Sequence, residues 1–191
     1  AKVSTCYPEC MRLYFRPAQS ADLPLVEALV NSAYRGDSSR QGWTTEADLL
    51  GGQRVDTERL AEMMVPDERG QTQRIGLGFS AMDTQKPVAC MYLRHEAATR
   101  TTYVGLLAVD PELQGGGYGK QLLDRAEEVA REWKCTRMRM TVIHLRDELL
   151  AYYERRGYVR TGNYELFPVD DPRFGVPKVE GMRLLELVKP L

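Results

Sequence analysis

Apolar positions at alternating and at helical spacing divide the chain into an ordered series of elements. In "MRLYFRPA" (11–18), Leu13 and Phe15 fall on one side and Arg12, Tyr14 and Arg16 on the other, the period-two pattern of a half-buried strand that Pro17 ends. Leu23, Val26, Leu29 and Val30 recur at helical spacing, with Ser20 as the expected N-cap and Pro24 tolerated in the first turn. A polar loop, "YRGDSSRQGWTTE", comes next, then two short helical pieces, "TEADLL" and "DTERLAEMM", separated by Gly51 and Gly52. "QRIGLGFSAM", the turn "DTQKP" and "VACMYLRHE" read as a hairpin with a longer loop, and "TTYVGLLAV" as a third consecutive strand. Leu122, Leu123, Ala126, Val129, Ala130 and Trp133 mark a helix of about four turns. Strand "RMRMTVI", helix "DELLAYYERR" closed by Gly157, strand "YVRTGNYEL", the Pro-rich loop "PVDDPRFGVP" and a last strand "MRLLELV" complete the order. The series β-α-α-β-β-β-α-β-α-β-β predicts an α/β (α+β) fold, a mixed central sheet covered by helices and built on strand-helix-strand crossovers.

Length and composition narrow the function classes. At 191 residues, 43% hydrophobic, the chain fits one globular domain over residues 11–191, and residues 1–10 are expected to be a poorly ordered extension because Met11 opens the first patterned segment. Twenty-six basic and 27 acidic residues give a formal charge of -1, so no general positive field gathers nucleic acid, and a small partner is expected instead. With no apolar run of membrane-spanning length and no signal-like start, a soluble, cytoplasmic protein is expected. Cys90 and Cys135 lie in apolar, strand-like segments and read as reduced core residues. Cys6 and Cys10 form a C-x3-C pair, but His95 and His144 are far off without ligand spacing, so no metal is expected.

The most informative stretch is "LLAVDPELQGGGYGKQLL", which sets Gly115, Gly116, Gly117 and Gly119 at a helix start. Glycines there expose backbone N–H groups and admit a ligand without Cβ interference, while the helix dipole favours negative charge, so the segment reads as a phosphate cradle. A P-loop would need glycine at Gln114 and Ser or Thr at Gln121. The dinucleotide pattern finds Lys120 where its third glycine belongs. Q-x-x-G-x-G does fit, through Gln114, Gly117 and Gly119, directly after "LAVDP". With that loop, the helix after it and "AYYERRGY" (151–158) at matching separations, the chain resembles the GNAT superfamily of acetyl-CoA-dependent N-acetyltransferases. The resemblance implies that Gly115, Gly116, Gly117, Tyr118, Gly119 and Lys120, with Gln114, hold the pyrophosphate of coenzyme A. It places the pantetheine arm along Leu107, Ala108 and Val109, where a bulge splays this strand from the next parallel one.

Acetyl transfer to an amine needs a neutral amine, a polarised carbonyl and a protonated leaving thiolate. The resemblance implies an oxyanion donor in the Leu107 backbone N–H, a group typically worth about 3 kcal/mol. It makes Tyr153, four residues before Gly157, the proton donor to sulfur, whereas spacing alone reads Tyr152 and Tyr153 as helix packing. Arg146 stands where many members have an asparagine near the cofactor, which implies a cofactor contact, and Tyr103, expected on the substrate side, stands where histone-modifying members carry a glutamate base. His144, Glu46 or water remain to accept the amine proton. The resemblance also implies a substrate wall of Trp43, Thr44, Thr45 and Glu46, with Arg35 and Arg40 nearby; the alternative is a solvated loop anchored by Trp43. The expected reaction is acetyl transfer from acetyl-CoA to a primary amine of a small metabolite or peptide, by a monomer or homodimer. A protein-lysine or N-terminal acetyltransferase and a non-catalytic acyl-CoA-binding module are the alternatives.

Overall fold

The computed structural model describes residues 11–191, so the expected N-terminal extension, with Cys6 and Cys10, lies outside the described residues. In chain order the elements are β1 (Leu13–Pro17), α1 (Leu23–Tyr34), the single turn α2 (Gly36–Ser39), β2 (Leu50–Gly51), α3 (Thr57–Glu62), β3 (Gln73–Ser80) and β4 (Ala89–Glu96). They continue with β5 (Thr101–Val109), α4 (Tyr118–Glu132), β6 (Arg137–Ile143), α5 (Asp147–Glu154), β7 (Val159–Leu166), β8 (Val176–Pro177) and β9 (Arg183–Pro190). Seven strands form one sheet in the order β1-β3-β4-β5-β6-β9-β7, antiparallel except for β5 and β6, while β2 and β8 pair as a separate ribbon.

Alternation along each strand divides the core between two faces of the sheet. Leu23, Val26, Leu29 and Val30 of α1 and Leu60 of α3 pack with Ile75, Leu77, Cys90, Tyr92, Leu106 and Ala108. On the other face Leu122, Leu123, Ala126 and Val129 of α4 and Leu150 and Tyr153 of α5 pack with Met91, Leu93, Val104, Met138 and Met140. Gln121 fastens α4 to the first strand, its Oε1 accepting from Leu13 N at 2.8 Å and its Nε2 donating to Met11 O at 2.7 Å.

The alternation breaks at the edge, in β7 between Arg160 and Tyr164, and at the centre of the sheet, in β5. Cys90 is opposite Ala108 and Tyr92 opposite Gly105, so β5 holds one residue more than β4 over this interval, and Leu106 adopts a φ of 47°. The extra residue reverses the phase of the strand: Val104 faces α4 before the bulge, and Leu107 and Val109 face it afterwards. Parallel pairing with β6 covers Thr101 to Tyr103 and stops there, so the two strands diverge toward the C-terminal end of β5. The bulge and splay implied by the resemblance are therefore present.

Two local expectations need correction. "TEADLL" is not a helix: Leu49 and Leu50 N–H groups both bond Glu46 O, making one turn, and the chain then enters β2, where Gly51 and Gly52 admit the extended ribbon with β8. Nor does Ser20 cap α1. Residues Ser20–Asp22 form a 3-10 turn, and the Asp22 carboxylate instead accepts from Gln19 N and Arg16, contacts that hold its pKa below the usual carboxylate range.

Tyr158 closes the core under α5. Its ring is 2% exposed and packs edge-on against Tyr153 at 5.9 Å, yet its buried hydroxyl has no hydrogen-bond partner among the described residues. Because an unsatisfied buried hydroxyl costs about 1–3 kcal/mol, Tyr158→Phe should keep the ring packing and raise unfolding stability by about 1 kcal/mol in urea titration. A loss of stability would mean that the hydroxyl is paired.

Candidate active site

Two cavities open where β5 and β6 diverge. One, of about 190 Å³, is lined by Trp43, Val109, Gln114, Gly115, Gly117, Tyr118, Gly119 and Lys120. The other, of about 340 Å³, is lined by Glu46, Arg54, Tyr103, Thr141, Arg146 and Phe167 among others. Tyr34, Leu107, Leu149 and Tyr153 line both, so the cavities meet across these four residues at the splay.

The glycine loop follows an Asx turn in which Asp110 accepts from Glu112 N at 3.1 Å. Gly115 and Gly117 take φ of 88° and 81°, and a Cβ on either would meet no protein atom within 4 Å, leaving their cavity face clear for a ligand. Gly117 leads into the 15-residue α4, whose first turn contains no acidic residue to offset the dipole. A glycine cradle at an uncompensated helix N-terminus, with Lys120 beside it, fits a pyrophosphate. Gln114 belongs to this loop but reaches across it: Nε2 donates to Thr44 Oγ1 at 2.8 Å and Val109 O at 3.1 Å, and Oε1 accepts from Trp43 N at 2.9 Å. The bonds tie the 42–44 segment to the glycine loop, and the Trp43 ring lies 5.3 Å from that of Tyr152.

At the junction Tyr34, the last residue of α1, donates its hydroxyl to Leu107 O at 2.5 Å and so pins the bulge from the α1 side. Tyr153 is 7% exposed, and burial, reinforced by the neighbouring Tyr34, raises its pKa well above the ordinary tyrosine value. Its phenol therefore stays protonated at neutral pH. Glu46 returns to the end of α1, its N–H bonding Tyr34 O at 2.9 Å, and its carboxylate lies between two guanidinium groups. Arg35 Nη1 donates to Oε2 and Arg146 Nη1 to Oε1 at 3.4 Å, with all three side chains 9% exposed or less. Arg35 Nη2 reaches on to Phe174 O at 3.2 Å, binding the loop before β8 to the same cluster.

The expected site residues divide accordingly. Leu107, Val109, Gln114, Gly115, Gly117, Tyr118, Gly119, Lys120 and Tyr153 line the glycine-loop cavity, whereas Ala108 is buried toward α1 and Gly116 packs against Leu113 O. Of the expected substrate wall, Glu46 and Tyr103 line the larger cavity, and Trp43 and Thr44 the glycine-loop cavity. Thr45 bonds Ser39 Oγ at 2.6 Å and lines neither, and Arg40 turns outward to Asp48. Arg146 lines the larger cavity rather than the glycine loop. His144 lines neither; its Nδ1 accepts from Arg183 N at 3.0 Å. Sequence reasoning missed Tyr34 and Arg54, and the one signal for Tyr34 was its place four residues beyond Val30 on the buried face of α1.

Comparison with known proteins places this geometry. Residues 44–158, more than half of the chain, match the model of the acetyltransferase (GNAT) family. The chain belongs to the GNAT family. Family members use acetyl-CoA. Its fold is similar to that of yncA from Salmonella typhimurium, solved with its cofactor acetyl-CoA, at a TM-score of 0.64 and 18% identity over 94% of each chain. A ribosomal-protein-alanine N-acetyltransferase from Brucella melitensis gives 0.65 and 21% identity over 94% of this chain and 100% of its own. Nourseothricin acetyltransferase gives 0.62 and 18%, over 93% and 98%. No curated protein sequence matches. Among the described residues no helix of this GNAT protein is long and apolar enough to cross a membrane, and no group of three or more His, Cys, Asp or Glu side chains is placed to hold a metal.

The buried Arg35–Glu46–Arg146 cluster makes a stability prediction. Removing one partner of a buried ion pair leaves uncompensated charge and costs about 3–5 kcal/mol. Glu46→Gln, nearly isosteric, should therefore lower stability by about 3 kcal/mol, read from the urea midpoint. A change within about 0.5 kcal/mol would mean the carboxylate is effectively solvated.

Proposed function

We propose that this GNAT protein transfers acetyl from acetyl-CoA to a primary amine of a small metabolite or peptide, by direct attack within a ternary complex. The observation that carries this reading is the meeting of a glycine-loop cavity and a second, acid-and-arginine-lined cavity across Tyr34, Leu107, Leu149 and Tyr153. A catalyst of this kind needs two binding spaces and one shared wall with a proton donor in it.

In this reading the N–H groups from Gly115 to Lys120 and the N-terminus of α4 hold the pyrophosphate, and Val109 and Leu107 flank the arm that leads inward. Bound acetyl-CoA supplies the acyl group as an activated thioester. The backbone N–H of Leu107 is the donor for charge developing on the acyl oxygen, in a stretch of strand fixed by the Tyr34 bond to its carbonyl. The Tyr153 hydroxyl, kept protonated by burial, donates to the departing sulfur. Glu46 stands on the acceptor side with both oxygens held by arginines, so it fixes that wall rather than taking the proton, and the proton of the attacking amine passes to water. His144 takes no part, because its Nδ1 is committed to the Arg183 backbone. A cavity of about 340 Å³ suits a small acceptor or a chain terminus better than an extended polypeptide. A cytoplasmic setting is consistent with this reading.

Release of free CoA thiol over an amine panel tests the activity. Tyr153→Phe keeps the ring and should lower turnover by about 100-fold or more, with acetyl-CoA affinity by calorimetry nearly unchanged. Turnover within two- or threefold of wild type would assign the donor to another group or to water.

A further inference from the structure

The acceptor-side cavity does not end at Glu46 and Phe167. It continues past Tyr103 and Thr141 into a recess of about 240 Å³ that shares Arg54, Glu165 and Phe174 with it. The lining of this recess is unbalanced. Among the described residues it contains Arg54, Arg59, Arg94, Arg139 and Arg173, against the single acid Glu165.

The arginines are not equivalent. Arg59 is paired with Glu62 at 2.7 Å and Arg173 with Asp171 at 2.7 Å, both near the surface. Arg94 and Arg139 share Glu96, at 2.8 and 2.6 Å, and both guanidinium groups lie near the ring of Tyr103, their neighbour in strand register, at 5.0 and 4.9 Å from its centroid. Arg139 also lies 3.6 Å from Glu186, whereas Glu96 is the one carboxylate paired with Arg94 among the described residues, and the buried Nε of Arg94 has no hydrogen-bond partner among them. Arg54 has no carboxylate partner at all among the described residues; its guanidinium lies 5.8 Å from the Tyr34 ring centroid. Its backbone is fixed, with Arg54 N donating to Asn31 Oδ1 at 2.7 Å and Asn31 Nδ2 donating to Val55 O at 2.9 Å. A half-buried arginine with a fixed backbone and no carboxylate partner among the described residues thus stands where the acceptor cavity passes into the recess.

Resting on the transferase reading above, we propose that the acceptor amine carries an oxyanionic group, a carboxylate or a phosphate, which docks on Arg54 at the mouth of this recess. Guanidinium groups match planar and tetrahedral oxyanions through paired N–H donors, and an unpaired one in a partly desolvated pocket gains most from such a partner. Arg94 extends the positive field behind Arg54. Glu46 and Glu165 face the same space, and Glu46 is already neutralised by Arg35 and Arg146, which leaves Glu165 to meet the cationic end of a zwitterionic acceptor before its amine is deprotonated.

The test compares a straight-chain alkylamine, the ω-amino carboxylate of equal length and the corresponding aminoalkyl phosphonate, by CoA thiol release. Either anionic acceptor should exceed the neutral amine by at least about tenfold in kcat/KM, and which of the two leads identifies the oxyanion. Arg54→Gln should reduce that ratio at least about tenfold through KM for the anionic acceptor, Arg54→Lys should restore part of it, and added salt should weaken it. Calorimetry of the two anionic compounds onto the CoA-bound protein, wild type and Arg54→Gln, reads the site without turnover. Binding that depends on Arg54 in a protein that acetylates no amine would keep the anion site and sink the transferase reading. Equal use of neutral and anionic amines, or anion binding indifferent to Arg54→Gln, would overturn the proposal while leaving acetyl transfer standing.

Discussion

The extra residue of β5 between Gly105 and Ala108 forces Leu106 to a φ of 47°, a conformation that costs a non-glycine residue about 1–3 kcal/mol, and it ends the ladder between β5 and β6 after Tyr103. Both losses are local, and what they produce is a gap in the middle of an otherwise continuous sheet. Burial holds the strained residue in place: Leu106 sits at 7% exposure among the side chains under α1, and Tyr34 bonds the next carbonyl from the same side. The phase reversal then turns Leu107 and Val109 toward α4, where they line the glycine-loop cavity. Strand geometry, not any one reactive side chain, decides where two ligands can meet.

Polar contacts join the covers of the gap, beside an apolar cluster of Leu50, Ile143, Phe167 and Met182 on the acceptor side. Gln114 joins the Trp43–Thr44 segment to the glycine loop, so a residue of the recurrent Q-x-x-G-x-G pattern positions a wall from elsewhere in the chain. On the acceptor side Glu46 gathers Arg35 from the end of α1 and Arg146 from the start of α5, and Arg35 carries the link on to Phe174. Such a cluster contributes less net stability than its short contacts suggest, because three ions have been taken from water, but it fixes the relative placement of three segments far apart in sequence. The charge it leaves facing the cavity is one carboxylate already answered by two cations.

Much of this architecture was legible in the chain. Period-two and helical spacing identify β1, β5, α1 and α4, each of which buries one face, whereas β3 and β4 are buried over most of their length and β7 is exposed along all of it. The glycine loop was legible too, since a run from Gly115 to Gly119 has few other uses at a helix start. What could not be read were features that depend on tertiary pairing. Nothing in "MRLLELV" says that β9 inserts between β6 and β7, and "TEADLL" has helical spacing yet yields to the ribbon between Leu50–Gly51 and Val176–Pro177. Within the site, Glu46 was legible as a carboxylate near a candidate wall but not as a buried ion between Arg35 and Arg146, a hundred positions apart from the latter. Arg54 was invisible for the opposite reason: its distinction is the partner it lacks.

The claim on which the rest stands is that the divergence of β5 and β6 joins the two cavities at the acyl group. Mapping backbone amide chemical shifts as acetyl-CoA is added to labelled protein tests it most directly. The expected result is large shifts at Gly115, Gly117, Gly119 and Leu107 together, with Thr101 to Tyr103, where the strands remain paired, little changed. Shifts confined to the glycine loop with Leu107 silent, or concentrated on the far side of the sheet, would contradict it.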